Sequence, residues 1–575
     1  MSGHRAVTVG AAPPPRFDAP GRGGDAAPTL VWAIFVLLFS FLLLSPAQDL
    51  KTPPLQLQTL PRQTVRVQEF RFEGNTVFTA KELATVAAPF TDRELAVEEL
   101  EDARRAVTLH YVNHGYINSG AVLPEQKVTA GIVILKIVEG GLTDVAVTGN
   151  KWLRDGYILS RVRHAAGLRR AEAATSAQAG APLNIFELKE GLQLLRLNPN
   201  VSQVNAELQP GALPGESRLE LRVVDHHPFR LGLQADNARP PSVGSMELLL
   251  LAGDRNLTGH SDSLAIAYGI VQGGMAGFES SELDNVEGSY TLPLTASDTT
   301  LQVHGSKKDF TVVEEPFDEL DIESESHLYG VWLRQPLYRT SRRELAVAIG
   351  FDRRHSESTL LGVPFNLSPG AVNGEIDLSV LRFTQEWIDR GFNQVFAARS
   401  TLSVGLDAFG TTDDGTTRDA KFVAWLGQVQ YVRRLFGTPN QLILRADGQL
   451  TGDKLLALEQ FSIGGINSVR GYRENQLVRD CGVFGSIELR LPVLFDRQRN
   501  PLVQFAPFVD FGGVWNVGDS GQPTTIGSAG IGLLLTPHRQ VSAQLYWGWA
   551  FRDFDTSEDD PQDLGLHFRV VADAF

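Results

Sequence analysis

The chain has 575 residues, which is too many for one compact core, so several structural units are expected. Its formal net charge of −15 argues against a nucleic-acid partner, because phosphate binding requires clustered lysine and arginine. Its one cysteine, Cys481, excludes a disulfide framework and a cysteine zinc site, and is expected to be an inert apolar residue. Abundant glycine and scarce methionine favour a β protein over a helical one.

The first predicted element is a secretory signal. An apolar run at 30–44 follows basic residues and precedes Ser45-Pro46-Ala47. This pattern predicts a signal peptide at 1–47, and the alternative is an uncleaved anchor, for which the run is short. A proline-rich linker at 48–64 is expected next. No other stretch could cross a bilayer as a helix, so a secreted chain of this kind can enter a membrane only as a closed barrel.

Between residues 65 and 229 one pattern occurs twice. An alternating segment at 65–72, predicted to be one strand, precedes Gly74-Asn75, and a similar segment at 143–148 precedes Gly149-Asn150. The two Gly-Asn pairs lie 75 residues apart, a period that indicates a duplicated small domain.

Helices and closing strands complete each copy. Thr79-x-x-Glu82 and Thr91-x-x-Glu94 both have the form of a capping box, and the second is expected to lead a helix to about His114. A stretch rich in β-branched residues at 132–138 closes the first copy, and its counterpart at 219–224 closes the second. A strand, two helices and two strands in each copy predict two α+β units.

Short motifs in these units resemble a known domain. Tyr111-Val112-Asn113-His114-Gly115-Tyr116-Ile117, with Leu123-Pro124-Glu125-Gln126 and Val138-Glu139-Gly140, resembles the first POTRA domain of two-partner secretion transporters. Those outer-membrane proteins export haemolysins and filamentous adhesins. Residues 182–229 resemble the second POTRA domain. The resemblance implies POTRA 1 at 65–140 and POTRA 2 at 141–229, both in the periplasm of a Gram-negative bacterium.

Residues 230–575 show no helical periodicity and many short alternating segments. At 541–551 the odd positions are apolar and the even positions are mostly small or polar, a pattern typical of an outer-membrane strand. About 346 residues at roughly 20 per strand and connection predict on the order of 16 strands. The predicted fold is therefore a transmembrane antiparallel β-barrel preceded by two α+β POTRA domains.

The last strands also predict the orientation of the barrel. The connection at 536–540 is short and should be periplasmic, and the one at 552–563 is longer and should be external. Phe575 resembles the aromatic terminus of many outer-membrane proteins but is out of phase with the apolar face of its strand. A bulge near Val570-Val571 would bring it into phase. The strands are predicted at about 483–492, 503–513, 526–535, 541–551 and 564–575.

The most specific motif is Val469-Arg470-Gly471-Tyr472, in a glycine-rich segment of a predicted external loop. It is similar to the signature on the sixth extracellular loop of the POTRA-bearing barrel superfamily. In that superfamily the loop folds into the barrel, and its arginine pairs with the aspartate of a Phe-x-Asp motif on the inner wall. The resemblance implies that Arg470 pairs with Asp510 of Phe508-Val509-Asp510.

The alternation of residues around Asp510 supports this assignment. Val503, Phe505, Val509 and Phe511 share one parity and should face lipid, so Asp510 should face the lumen. A charge facing lipid at mid-depth would cost up to a few kcal/mol. An arginine suits the loop because its planar guanidinium binds a carboxylate with two hydrogen bonds.

Other candidate sites fail on spacing. Gly527-x-x-Gly530-x-Gly532 has no strand–turn–helix context for a dinucleotide, and His226-His227 has no nearby ligand pair for a metal. The acidic cluster within 553–563 lacks EF-hand spacing and is expected to be a solvated loop, although it could bridge to lipopolysaccharide through divalent ions. No catalytic residue, cofactor or metal is therefore predicted, and the chain is not expected to be an enzyme.

The resemblance implies a pore that exports a large β-rich exoprotein, which the POTRA domains capture unfolded. The expected partners are this exoprotein and the lipid and lipopolysaccharide of the outer membrane, with the transporter as a monomer. The alternatives are an insertase for other barrels, which usually carries more than two POTRA domains, and a passive porin, which needs none.

The segment before the first domain is not expected to plug the pore. Its prolines leave at most six consecutive residues, 55–60, for a helix, so no plug helix is expected. The loop that carries Arg470 should then be the main obstruction.

Overall fold

The computed structural model describes residues 64–166, 182–271, 284–314, 320–413, 415, 418–519, 521–555 and 560–574. The predicted signal peptide, the linker up to residue 63 and Phe575 lie outside the described residues. Within this part of the chain, no helix is long and apolar enough to cross a membrane.

The first α+β unit contains five strands and two helices. Strand β2 pairs in parallel with β5, which also pairs with β4, while β1 pairs with β3 in a separate two-stranded sheet. The prediction of one strand at 65–72 is wrong, because the chain changes sheets at Gln68. The elements are β1 Thr64–Val67, β2 Glu69–Glu73, α1 Ala80–Ala87, β3 Arg93–Ala96, α2 Val97–Asn113, β4 Gly120–Val122 and β5 Ile132–Val138.

One of the two predicted capping boxes is present. Thr79 and Glu82 exchange side-chain and backbone hydrogen bonds at the start of α1. The prediction of a capping box at Thr91-x-x-Glu94 is wrong. Residues 93–96 form β3, which pairs with β1, and α2 begins only at Val97. The helix ends at Asn113, close to the predicted end.

The second α+β unit repeats the same topology, with β6 parallel to β8 and β7 at the edge. Both Gly-Asn pairs have the same geometry. Gly74 and Gly149 have φ values of 86° and 88°, and the amides of Asn75 and Asn150 each donate to the carbonyl three residues ahead, at 2.8 and 2.7 Å. The elements are β6 Gly141–Thr148, α3 Asp155–Ala165, α4 Ile185–Arg196, β7 Val201–Pro210 and β8 Glu216–Asp225.

A carboxylate follows or ends the last strand of each unit and accepts backbone N–H groups just after the Gly-Asn pair. Glu139 accepts from Thr76 (2.8 Å) and Val77 (2.9 Å). Burial alone would raise the pKa of Glu139, but its hydrogen bonds with Thr76 and Val77 outweigh burial and lower the pKa. Asp225 accepts from the three residues after Asn150, at 2.6 to 3.0 Å.

The two units meet without a free linker. Only residues 139–140 separate β5 from β6. The N–H of Leu183 donates to the carbonyl of Gly140 (2.8 Å), and the N–H of Ile185 donates to that of Gly115 (2.9 Å). The Asn-His-Gly segment noted in the sequence therefore lies at this junction, and the two units hold a defined mutual orientation.

The rest of the described chain forms a closed barrel of 16 antiparallel strands, which confirms the predicted fold class. Short β16 (Val363–Pro364) pairs antiparallel with the end of β15. Strand β21 (Phe461–Ile463) pairs with β22 (Leu477–Arg479) in a separate ribbon. The barrel strands are β9 Phe229–Asp236, β10 Glu247–Asp254, β11 Ser263–Val271, β12 Asp284–Pro293, β13 Thr300–Thr311, β14 Ile322–Arg339, β15 Arg343–Leu360, β17 Glu375–Arg390, β18 Gln394–Leu406, β19 Val423–Arg434, β20 Gln441–Thr451, β23 Cys481–Phe495, β24 Pro501–Trp515, β25 Thr524–His538, β26 Val541–Ala550 and β27 Leu566–Asp573.

The second α+β unit contacts one end of the barrel, which we call the proximal end. The N–H of Arg154 donates to Gly259 (2.9 Å), and Arg161 forms an ion pair with Asp298. Consistent with the predicted orientation, the two-residue turn at 539–540 is proximal and the longer connection at 551–565 is distal.

Side-chain exposure in the last strands follows the predicted alternation. Phe505, Val509 and Phe511 are exposed on the outside of β24, and Asp510 is buried. The bulge proposed near Val570-Val571 is wrong, because the pairing of β27 with β26 continues through these residues without a shift in register.

Candidate functional site

The segment 452–480, here called the inner loop, connects β20 and β23 at the distal end of the barrel and folds into the lumen. Its β21–β22 ribbon forms a neck. Ile463, Val469 and Tyr472 are buried and pack against wall residues, including Phe484 and Val514. Apolar packing therefore holds the inner loop against the wall formed by β23 and β24.

Arg470 is the centre of this contact and is only 1% exposed. Its Nε and Nη2 donate to the two carboxylate oxygens of Asp510 at 2.7 and 2.9 Å. Its backbone N–H also donates to Asp510, at 3.1 Å. The structure thus brings together the two residues that the sequence pairs, in the bidentate arrangement that favours arginine over lysine.

The wall supplies further partners, of which only Phe508 was named from the sequence. Glu488 forms an ion pair with Nη1 of Arg470 (2.5 Å), and Ser486 accepts from Nη2 (3.1 Å). The guanidinium lies 3.7 Å from the ring centroid of Phe508 and 4.7 Å from that of Tyr546. Two carboxylates and two aromatic rings therefore surround one buried guanidinium, which compensates for its loss of water.

Gly471 and Tyr472 fit the inner loop closely to the wall. Gly471 has φ 88°, and a Cβ at this position would lie 2.8 Å from the carbonyl of Gly548 on β26. Its N–H donates to Nε2 of His567 (3.2 Å). The hydroxyl of Tyr472 donates to the carbonyl of Gly527 (2.9 Å). Only a glycine permits this backbone-to-backbone approach.

A second anchor lies on another part of the wall. Glu459, 3% exposed, forms ion pairs with Arg382 of β17 (2.7 Å) and Arg354 of β15 (3.4 Å). Arg382 is also paired with Asp352 (2.8 Å). In the order of the barrel strands, β17 is five steps from β24. The inner loop is therefore attached to two separated stretches of the wall.

A third anchor joins the inner loop to other distal connections. Arg473 forms ion pairs with Asp563, after β26, and with Glu314, after β13. The N–H of Glu474 donates to Gln562 (2.7 Å). The prediction that the acidic cluster is solvated is wrong for Asp563, because its side chain is completely buried against Arg473.

The anchor at Glu459 leads to a charge-exchange prediction. Glu459→Arg should loosen the inner loop and make single-channel recordings noisier, with frequent open bursts, because it places a third cation beside Arg382 and Arg354. Combining it with Arg382→Glu should restore most of the quiet closed state. Recordings in planar bilayers check this, with Lys421→Glu at an exposed pair as the control. No recovery in the double variant would show that the two residues do not act as a pair.

The other candidates show no metal site in the part of the chain that the structure describes. Among the described residues, no group of three or more His, Cys, Asp or Glu could hold a metal ion. Cys481 is buried, with its Sγ 3.5 Å from the carbonyl of Thr451. His227 packs against the rings of Trp152 and Phe229.

Two family models match the chain. The model for haemolysin secretion/activation protein ShlB/FhaC/HecB matches residues 215–535. The model for the ShlB-type POTRA domain matches residues 65–140. The first match alone covers more than half of the chain.

Similar proteins were found by sequence and by structure. Outer membrane transporter CdiB of Dickeya dadantii (strain 3937) is 24% identical over 494 residues, covering 84% of this chain and 82% of that protein. Heme/hemopexin transporter protein HuxB of Haemophilus influenzae (strain 86-028NP) is 24% identical over 315 residues, covering 54% of this chain and 49% of that protein. The solved structure of CdiB from Escherichia coli has a TM-score of 0.67 at 22% identity, covering 91% of this chain and 93% of that one.

A more distant structural match is BamA from Haemophilus ducreyi lacking POTRA domains 1-3. Its TM-score is 0.50 at 14% identity, with 88% of this chain and 100% of that chain covered. These structural matches agree with the closed barrel described above. With the family model spanning most of the barrel, the chain belongs to the ShlB/FhaC/HecB family of haemolysin secretion/activation proteins, the outer-membrane transporters of two-partner secretion.

Proposed function

We propose that this transporter exports one large, β-rich partner exoprotein, with a signal peptide at 1–47, a linker at 48–64, POTRA 1 at 65–140, POTRA 2 at 141–229 and the pore at 230–575. The observation that carries the proposal is the inner loop, which is anchored in the lumen of a barrel whose proximal end contacts a duplicated α+β unit. A passive porin has no need of this unit, and family membership does not favour an insertase.

We propose that Val469, Arg470, Gly471 and Tyr472 hold the inner loop closed, with Phe508 and Asp510 as their partners on the wall. Buried ion pairs are weak contributors to net stability but are costly to break one partner at a time. They therefore suit a closed state that opens only when the loop leaves the wall as a unit. Outer-membrane lipid and lipopolysaccharide surround the barrel in this proposal, and the transporter works as a monomer.

The periplasmic units would capture the exoprotein by strand addition. In the second unit, β7 is an edge strand of ten residues with mostly exposed side chains. An extended segment of the unfolded exoprotein can pair with such an edge through backbone hydrogen bonds. Folding of the exoprotein outside the cell would then drive export without a nucleotide.

This capture can be tested with residues 64–225, which we expect to fold alone because both of their hydrophobic clusters form within this range. The fragment should bind the N-terminal region of the cognate exoprotein with a dissociation constant on the order of micromolar, typical of a transient encounter. Titration calorimetry measures the affinity, and a fragment from an unrelated exoprotein is the control. Binding to unfolded barrel precursors but not to the exoprotein would favour the insertase.

Proline substitution tests whether the edge of β7 is the contact. N–H groups of successive residues in an edge strand alternate between the neighbouring strand and solvent. Of the two variants Asn205→Pro and Ala206→Pro, one should therefore leave the fragment folded while removing an outward N–H. That variant should bind about tenfold more weakly, a loss of 1.4 kcal/mol. Unchanged affinity in a folded variant would exclude this part of the edge.

A further inference from the structure

A cluster of aromatic rings lies where the second POTRA unit meets the outside of the barrel. The ring centroid of Trp152 is 5.3 Å from that of His227 and 6.1 Å from that of Phe229. His227 and Phe229 are themselves 5.2 Å apart. Trp152 is 41% exposed even though its ring has these neighbours.

The cluster continues the lipid-facing surface of the barrel. Phe229, Leu231 and Leu233 point outward from the first barrel strand, while Gly232 between them is buried. Phe229 begins this strand at the proximal end, so its ring lies at the periplasmic boundary of the membrane. Trp152 packs on that ring and extends the same apolar surface onto the POTRA unit. Aromatic residues are enriched at this depth in outer-membrane barrels.

The position of Trp152 is fixed by its backbone. Its N–H donates to the carboxylate of Asp225 (2.6 Å). Two residues later, the N–H of Arg154 donates to Gly259 in the first proximal turn of the barrel (2.9 Å). The ring is therefore presented at the membrane boundary by a loop held at both ends.

A cavity of about 550 Å³ opens beside the cluster. His227, Phe229 and Leu231 line it together with Arg230, Ala252 and Gly253. On β10, Ala252 pairs with Leu231 and so shares its outward face. The cavity thus faces lipid, and its lining is mostly apolar.

Two exposed cations lie on the segments that carry the rings. Lys151 precedes Trp152, and the N–H of Arg255 donates to Pro228 (3.0 Å), between His227 and Phe229. The carboxylate of Asp225 accepts the backbone N–H of Lys151, and that of Asp254 accepts the N–H two residues after it. These backbone hydrogen bonds hold the two carboxylates in place, and the exposed side chains of Lys151 and Arg255 supply positive charge on these segments.

We propose that Trp152, His227 and Phe229 form a binding surface for a phospholipid of the periplasmic leaflet. An acyl chain of the lipid occupies the cavity beside Leu231, and its phosphate lies near Lys151 and Arg255. The contact holds the second POTRA unit against the membrane. The inference rests on the outer-membrane location of the transporter.

Fluorescence of the full-length protein tests the proposal. The protein is reconstituted in vesicles of phosphatidylethanolamine and phosphatidylglycerol, part of which carry bromine near the headgroup end of one acyl chain. The difference between wild type and Trp152→Phe isolates the emission of Trp152. Its quenching should lie within about twofold of that of the outward-facing Trp425, as expected for a ring at the membrane boundary. Trp332, bonded to the buried Asp352, should be little quenched.

The outcomes separate the competing occupants. Quenching at Trp425 but not at Trp152, with Trp152 open to aqueous acrylamide, would overturn the lipid proposal. Protection of Trp152 that depends on protein concentration or on added exoprotein would also overturn it, in favour of a second copy or of the substrate. Quenching at neither residue would mean that the barrel is not inserted, and would count against the proposed function itself. Trp152→Tyr provides the same difference measurement if Trp152→Phe does not fold.

Discussion

Arg470→Ala is expected to reduce secretion of the exoprotein by about a hundredfold, while the barrel still inserts and resists unfolding in detergent. Removing the guanidinium leaves Asp510 buried without its ion-pair partner and leaves Glu488 with Arg490 alone, at a cost of about 3–5 kcal/mol to the closed loop. This free-energy cost weakens the attachment of the inner loop to the wall and leaves the backbone hydrogen bonds between the barrel strands intact. The amount of exoprotein in the culture medium and the heat-dependent gel mobility of the barrel measure the two effects separately.

Partner variants test whether the pair acts as a unit. Asp510→Ala should have a similar defect, and the double variant should be little worse than either single variant, because the second change removes a group that has already lost its partner. Arg490→Ala is the matched control, since Arg490 is half-buried and its ion pair with Glu488 lies within the wall strand β23. Strictly additive defects would mean that Arg470 and Asp510 act independently.

Deletion of residues 462–478 is expected to raise the conductance on the order of tenfold and to give a large, steady channel, because conductance follows the open cross-section of the lumen. The neck makes the deletion feasible: Phe461 and Arg479 are paired neighbours, so a short glycine linker can join them without strain on β20 or β23. Planar-bilayer recordings measure the conductance.

The matched control is deletion of residues 48–62, before the first domain. It should leave the conductance nearly unchanged, because the prolines at 53, 54 and 61 disfavour a helix in this segment. A large rise on deleting 48–62 alone would show that this segment, and not the inner loop, blocks the pore.

The barrel could be predicted because the pattern that identifies its strands lies within each strand's own sequence. Each strand alternates between lipid and lumen with a period of two residues, so Asp510 could be assigned to the lumen from its apolar neighbours alone. The pairing of Arg470 with Asp510 came from a resemblance between motifs and not from any spacing in this chain. The structure places the two side chains in contact.

What the sequence could not predict depends on partners distant in the chain. The break at Gln68 follows from the pairing of β1 with residues 93–96, which local alternation does not reveal. Nothing in the sequence distinguishes Glu488 and Asp563 from other acidic residues. In the folded chain each forms an ion pair with an arginine of the inner loop, Arg470 and Arg473 respectively. The same holds for Glu459, whose partners are more than 70 residues away.

The junction between the two POTRA units changes how capture should be understood. With two residues between β5 and β6 and backbone bonds across the contact, the units form a stiff arm and not a tether. A flexible linker would spread a captured segment over a large volume, whereas a stiff arm keeps it at a set distance from the pore entrance. The effective concentration of the substrate at the barrel is then set by geometry. Insertions at 139–140 should lower it even where both units remain folded and binding is unchanged.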